Sequence, residues 1–139
     1  MAGDLSALPA LPHGAPFLML DRTVELEGDR GVFIKMVTAS DPVVAADGSM
    51  PAVFVLEAMA QAGGAVLGAR GGVERLAGPL AKVDGFCLHE PVRIGEELRI
   101  EARLVRYTRG VSIFEARATV AGQLRAQARI SLALPPIPA

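Results

Sequence analysis

The chain has 139 residues and one cysteine, a length that suits one domain (1–139) whose core needs neither disulfide nor metal support. Its 14 Lys and Arg against 15 Asp and Glu give a formal net charge of -1, which excludes a basic stripe for nucleic acid and a polybasic patch for a membrane surface. Cys87 alone cannot form an internal disulfide, and no charged-then-apolar leader opens the sequence, so a reducing cytoplasm is the expected compartment.

In chain order, Phe17 to Glu27 and Gly31 to Thr38 read as two strands flanking the tight-turn composition Gly28-Asp29-Arg30. A helix is predicted over 52–69, opened by Pro51, whose missing N–H is no loss in a first turn, and closed by the Gly71-Gly72 pair. This segment approaches the length of a membrane span, but Glu57, Gln61 and three internal glycines make a poor lipid-facing surface, so a buried helix of a globular domain is expected. Leu80 to Leu88 forms a further strand, ending before Pro91. Then come three alternating segments. Leu98, Ile100, Ala102 and Leu104 alternate with Arg99, Glu101, Arg103 and Val105; Ser112, Phe114, Ala116, Ala118 and Val120 with Ile113, Glu115, Arg117 and Thr119; Leu124, Ala126, Ala128, Ile130, Leu132 and Leu134 with Gln123, Arg125, Gln127, Arg129 and Ser131. That period of two marks half-buried strands, and the short turns Arg109-Gly110 and Ala121-Gly122 make them an antiparallel meander. The whole is an α+β layering, one buried helix against a curved antiparallel sheet. A helix apolar on nearly every side needs more cover than one small sheet provides, which predicts a homodimer.

Glu57 and Gln61 are the only polar side chains inside the apolar run, and a spacing of four puts them on one helix face. A carboxylate in such a segment must be hydrogen-bonded, paired or opened to a cavity, so it marks a candidate site. The two histidines and one cysteine show no ligand spacing, and no metal or cofactor is expected. His13 and His89 read as structural or solvated residues. Gly63, Gly64 and Gly68 read as contacts for close helix packing, with Ala60, Gly63 and Gly64 able to leave room for an apolar tail.

Three words of the sequence carry a resemblance. Leu11-Pro12-His13-Gly14-Ala15-Pro16-Phe17-Leu18-Met19-Leu20-Asp21-Arg22, Leu56-Glu57-Ala58-Met59-Ala60-Gln61 and Pro91-Val92-Arg93-Ile94-Gly95-Glu96-Glu97-Leu98 resemble the FabZ-type 3-hydroxyacyl-(acyl-carrier-protein) dehydratases of the hotdog fold, over about residues 8 to 134. The resemblance implies a hotdog dimer whose sheets join edge to edge, an acyl tunnel at the boundary, and a site shared between subunits in which Glu57 is the helix carboxylate. It also exposes a departure. The family carries a Gly-His-Phe-Pro-Gly word before the helix, whose histidine removes the α-proton and whose last glycine offers its amide to the thioester carbonyl. Here Asp41-Pro42-Val43-Val44-Ala45-Ala46-Asp47-Gly48-Ser49-Met50-Pro51 occupies that place, shorter and without histidine.

Dehydrating a 3-hydroxyacyl thioester needs a base for the α-proton, a donor to the enolate oxygen and an acid for the departing hydroxyl. Glu57 suits the acid or base role, and Asp47 is a second candidate, as a carboxylate opposite Glu57 of the partner subunit or simply as a turn residue beside Gly48. Gln61 is expected to orient Glu57 or the preceding loop, and the amide of Gly48 or Ser49 to replace the missing oxyanion donor. Three classes stay open: a dehydratase, a hotdog thioesterase in which Glu57 activates water or attacks the thioester, and a non-catalytic acyl-carrier binding module. The expected ligand is an acyl thioester on acyl carrier protein or coenzyme A, with Arg70, Arg75, Arg93 and Arg109 as candidates for contact with an acidic carrier.

Overall fold

The computed structural model describes residues 18–71 and 80–133 of the chain. The elements run β1 (Arg22–Glu27), β2 (Arg30–Met36), β3 (Ser49–Met50), α1 (Ala52–Gly71), β4 (Leu80–Leu88), β5 (Val92–Arg93), β6 (Glu97–Thr108), β7 (Val111–Val120) and β8 (Gln123–Ala133). Six strands form one antiparallel sheet in the order β1-β2-β6-β7-β8-β4, and β3 pairs with β5 beside it. With α1 packed on that sheet, the architecture is the α+β hotdog arrangement that the alternation and the resemblance predict.

The two periodicities explain how the layers meet. Gly31, Phe33 and Lys35 of β2 stand opposite Ala102, Ile100 and Leu98 of β6, and this register carries the same face on to Ala116 and Ala118 of β7 and Ala126 and Ala128 of β8. Alanines at these positions let the helix approach closely, and Val55, Ala58, Met59, Ala62, Ala65 and Val66 of α1 are fully buried. Gly63 serves the same approach, since a methyl group there would meet the Phe114 ring at 3.2 Å. The opposite face of the sheet is a charged ladder in which Arg30 pairs with Glu25 and Glu101, and Arg129 and Arg103 pair with Glu115.

The meander turns need left-handed backbone at both central residues: Arg109 and Gly110 have φ of 53° and 75°, Ala121 and Gly122 49° and 81°. Two such residues match the right-handed twist of the flanking strands, so the ladders close without splaying.

Several boundaries differ from the sequence reading. The first strand begins at Arg22 because Leu18 to Asp21 is an entry segment rather than a ladder; Met19 and Leu20 are buried in the core. Its hairpin turn is Gly28-Asp29, with Arg30 already in β2. The strand expected to run to Thr38 stops at Met36, where a series of turns begins. The first three residues of the helix are exposed or half-exposed, as are Leu56, Glu57, Gly64, Leu67 and Gly68, so one flank of α1 is left uncovered by its own sheet. By length and composition Ala52–Ala69 passes as a membrane span, yet half of it is buried against the sheet here. Residues 1–17, 72–79 and 134–139, including His13, Gly72 and Arg75, lie outside the described residues.

Candidate functional site

Helical spacing places Glu57 and Gln61 one turn apart, and the two side chains touch. Gln61 Nε2 donates to Glu57 Oε1 at 2.9 Å, and Gln61 Oε1 accepts the Met19 amide at 2.7 Å. A backbone N–H can only donate, so the glutamine end facing Met19 is its oxygen and the end facing Glu57 is its NH2. Oε1 of Glu57 is therefore an acceptor. Gln61 is 2% exposed, Glu57 half-buried on the uncovered flank of α1. A fully buried amide thus contacts a carboxylate at the edge of the protomer.

The loop before the helix is built from three successive turns, closed by Asp41 N to Thr38 O at 3.1 Å, Val44 N to Asp41 O at 3.2 Å and Gly48 N to Ala45 O at 2.9 Å. Its last turn is drawn tight by Asp47, whose Oδ1 accepts both the Ser49 amide at 2.9 Å and the Ser49 hydroxyl at 2.6 Å. Gly48 takes a φ of 84°, which a side chain would strain. The Ser49 hydroxyl first, and then its amide, hold the Asp47 carboxyl below the usual aspartate range. This exposed, hydrogen-bonded carboxylate is a weak base, and its geometry within the protomer is that of a turn residue.

These bonds correct the expectation for Gly48 and Ser49. Both amides already donate inside the loop, Gly48 to Ala45 O and Ser49 to Asp47, so neither is available to a thioester carbonyl in this conformation. The helix start offers other donors. Phe54 and Val55 both donate to Pro51 O, at 2.9 and 3.3 Å, which leaves the first-turn amides of Ala52 and Val53 without an intrahelical acceptor. Val53 is 63% exposed, and the first turn carries no acidic side chain to cap them. The sequence signal for this pair was Pro51 itself, since a helix opening on proline leaves the next amides facing outward.

Other residues weighed in the sequence lie apart from this arrangement. His89 is exposed beyond β4 with Nδ1 3.7 Å from Cys87 Sγ. Arg93 pairs in register with Ser49, so it stands beside the loop. Among the described residues no three His, Cys, Asp or Glu side chains gather as metal ligands.

A family model described as ApeP-like, ApeP dehydratase, matches residues 5–139. The chain belongs to this ApeP-like family of FabZ-type hotdog dehydratases. It is 36% identical over 129 residues to 3-hydroxyacyl-(acyl-carrier-protein) dehydratase FabZ of Thermomicrobium roseum, covering 89% of this chain and 87% of the relative. The FabZ of Chloroflexus aggregans is 41% identical over 132 residues, covering 89% and 90%. Among solved structures, the dehydratase heterocomplex ApeI:P from Xenorhabdus doucetiae aligns with a TM-score of 0.83 at 23% identity, over 91% of this chain and 88% of that one. A hypothetical thioesterase with coenzyme A from Streptococcus pneumoniae aligns at 0.69 and 13% identity, over 84% and 87%, a likeness of fold alone. In this dehydratase-family chain Glu57 and Gln61 are hydrogen-bonded to each other on α1, while residues 41 to 51 contain no histidine.

Proposed function

We propose that the chain supplies the carboxylate half of a two-subunit 3-hydroxyacyl-thioester dehydratase site, with the proton-abstracting histidine coming from a partner hotdog subunit. The observation that supports this most is the asymmetry of the site: Glu57 is presented on the uncovered flank of α1 with Oε1 fixed by Gln61, yet the chain's own loop offers no histidine. In the step so divided, the partner's base takes the α-proton, and electrons shift into the thioester. The C3–O bond then breaks as the enolate collapses, and the hydroxyl leaves as water with the proton of the Glu57 carboxyl. The first-turn amides of Ala52 and Val53 serve the developing enolate oxygen. That the Xenorhabdus doucetiae structure is a dehydratase heterocomplex supports a partner that is not identical to this chain. A homodimer with Asp47 opposite the other copy's Glu57 is the weaker arrangement, because Ser49 makes Asp47 a poor base. Substrates are acyl thioesters on an acyl carrier protein or coenzyme A, and the setting is cytoplasmic fatty-acid or polyketide-type synthesis.

The test is to assay the chain alone and in complex with a histidine-bearing FabZ-type subunit, using 3-hydroxyacyl, enoyl and saturated acyl thioesters. Water loss or addition by the complex, lost when Glu57→Gln is introduced in this chain, supports the reading. Full dehydratase activity by the chain alone removes the need for a histidine-bearing partner. Release of free thiol instead assigns a thioesterase, and silence of chain and complex alike assigns a non-catalytic binding module.

A further inference from the structure

We propose that the buried Lys35 and Asp41 ion pair positions the loop that stands before α1, a role that rests on the two-subunit dehydratase reading. Lys35 lies opposite Leu98 in register, on the face of β2 that also carries Gly31 and Phe33, so its ammonium sits on the helix side of the sheet rather than among the outer arginines. Its Nζ is 2.6 Å from Asp41 Oδ2, and the two side chains are only 8% and 7% exposed. The Asp41 Oδ2 atom is buried and makes no well-aligned hydrogen bond, so the ammonium is what compensates its charge.

Such a pair adds little net stability over apolar side chains of the same volume; what it can add is one preferred geometry. The loop needs that. Asp41 opens it, receiving Lys35 on one oxygen and the Val43 amide on the other at 3.3 Å, while its backbone closes turns on either side. The far end is held by the pairing of Ser49 and Met50 with Arg93 and Val92 and by Ile94 N donating to Gly48 O at 2.9 Å. Between these anchors Ala45, Ala46 and Asp47 are exposed and bury almost nothing. The two ends therefore set the height of the loop, and through Pro51 they set where the first amides of α1 meet a thioester. Lys35 and Asp41 are positioning residues, reaching the substrate only through the loop.

The experiment compares the wild-type chain with Lys35→Met/Asp41→Leu, which removes both charges at similar volume, and with Lys35→Arg, which keeps the pair. In the double variant, amide exchange at Val43, Val44 and Gly48 is expected to rise at least about tenfold while Ala62 and Val66 in α1 stay unchanged. In the two-subunit assembly kcat falls about tenfold to a hundredfold with KM within about twofold, as expected for displaced but intact groups. Lys35→Arg restores both readouts. Wild-type exchange in the loop of the double variant, or failure of that variant to fold, overturns the proposal, the latter by showing that the pair serves stability. If the wild type shows no turnover but the double variant loosens the loop, the positioning role stands and the dehydratase reading falls.

Discussion

Gln61→Leu removes the link between Met19, Gln61 and Glu57 while leaving the packing volume of the side chain nearly intact. The bond accepting the Met19 amide at 2.7 Å and the bond donating to Glu57 at 2.9 Å both disappear. Met19 is itself buried, so its amide is left without that acceptor, a loss of about 1–3 kcal/mol. The bond to the carboxylate is charge-assisted, but Glu57 is half-exposed and water replaces part of it, so its share is about 1 kcal/mol or less. The expected net loss is about 1–4 kcal/mol, which in a domain of this size lowers Tm by about 3–16 °C. Calorimetry or far-ultraviolet circular dichroism reads this directly. A second effect follows: a carboxylate that has lost its lateral donor is less well fixed, so turnover in the two-subunit assembly should drop even at temperatures where the variant is fully folded. Melting of Gln61→Leu within about 1 °C of the wild type would refute the reasoning, because a buried amide deprived of its acceptor cannot be that inexpensive.

Three further outcomes are expected. Glu57→Gln keeps the contact with Gln61 through its own amide oxygen, so its melting temperature should stay within about 2 °C of the wild type while dehydration in the assembly falls about a hundredfold to ten-thousandfold; coincident loss of fold and activity would count against a chemical role. Gly31→Ala puts a methyl carbon 2.7 Å from the Phe33 ring and 2.9 Å from Val66, all in the closed core, and should destabilise by about 1–3 kcal/mol in urea titration; an unchanged midpoint would mean that the ring has room to turn. Arg125, 11% exposed, holds Glu96 with hydrogen bonds at 2.6 and 3.0 Å and keeps its carboxyl below the usual 4.5, chiefly through those bonds. A depressed carboxyl contributes stability above its unfolded pKa and loses it as pH falls through the lower folded value, so the wild type should weaken from about pH 4.5 downward. In Arg125→Met that part of the acid limb should vanish from a plot of urea midpoint against pH, and superimposable limbs would show that the pair is not responsible.

The strands β6, β7 and β8 were legible because one face of each is buried and the other wet, which writes a period of two into the residues. The Glu57 and Gln61 contact was legible for the matching reason on a helix. By contrast β3 and β5 are two residues each, paired across more than forty positions, and no local period announces them. Lys35 interrupts the apolar pattern of β2 without revealing that a carboxylate six residues on turns back to meet it. The engagement of the Gly48 and Ser49 amides was hidden for a related cause. Gly48 and Ser49 have amides like any other residue, and whether an amide is free depends on where Ala45 O and the Asp47 carboxylate lie in space.

What the sequence determined by itself was periodicity and residue chemistry: an antiparallel meander, one apolar helix, and a carboxylate with an amide beside it in a loop context lacking histidine. These are properties of neighbours along the chain, fixed by the 3.6 and 2.0 repeats of the backbone. What only the tertiary structure decided was which polar atoms are already engaged. Hydrogen bonds saturate, so which polar atoms of Glu57, Gly48 and Ser49 are engaged depends on where the folded loop and helix set Gln61, Ala45 and Asp47.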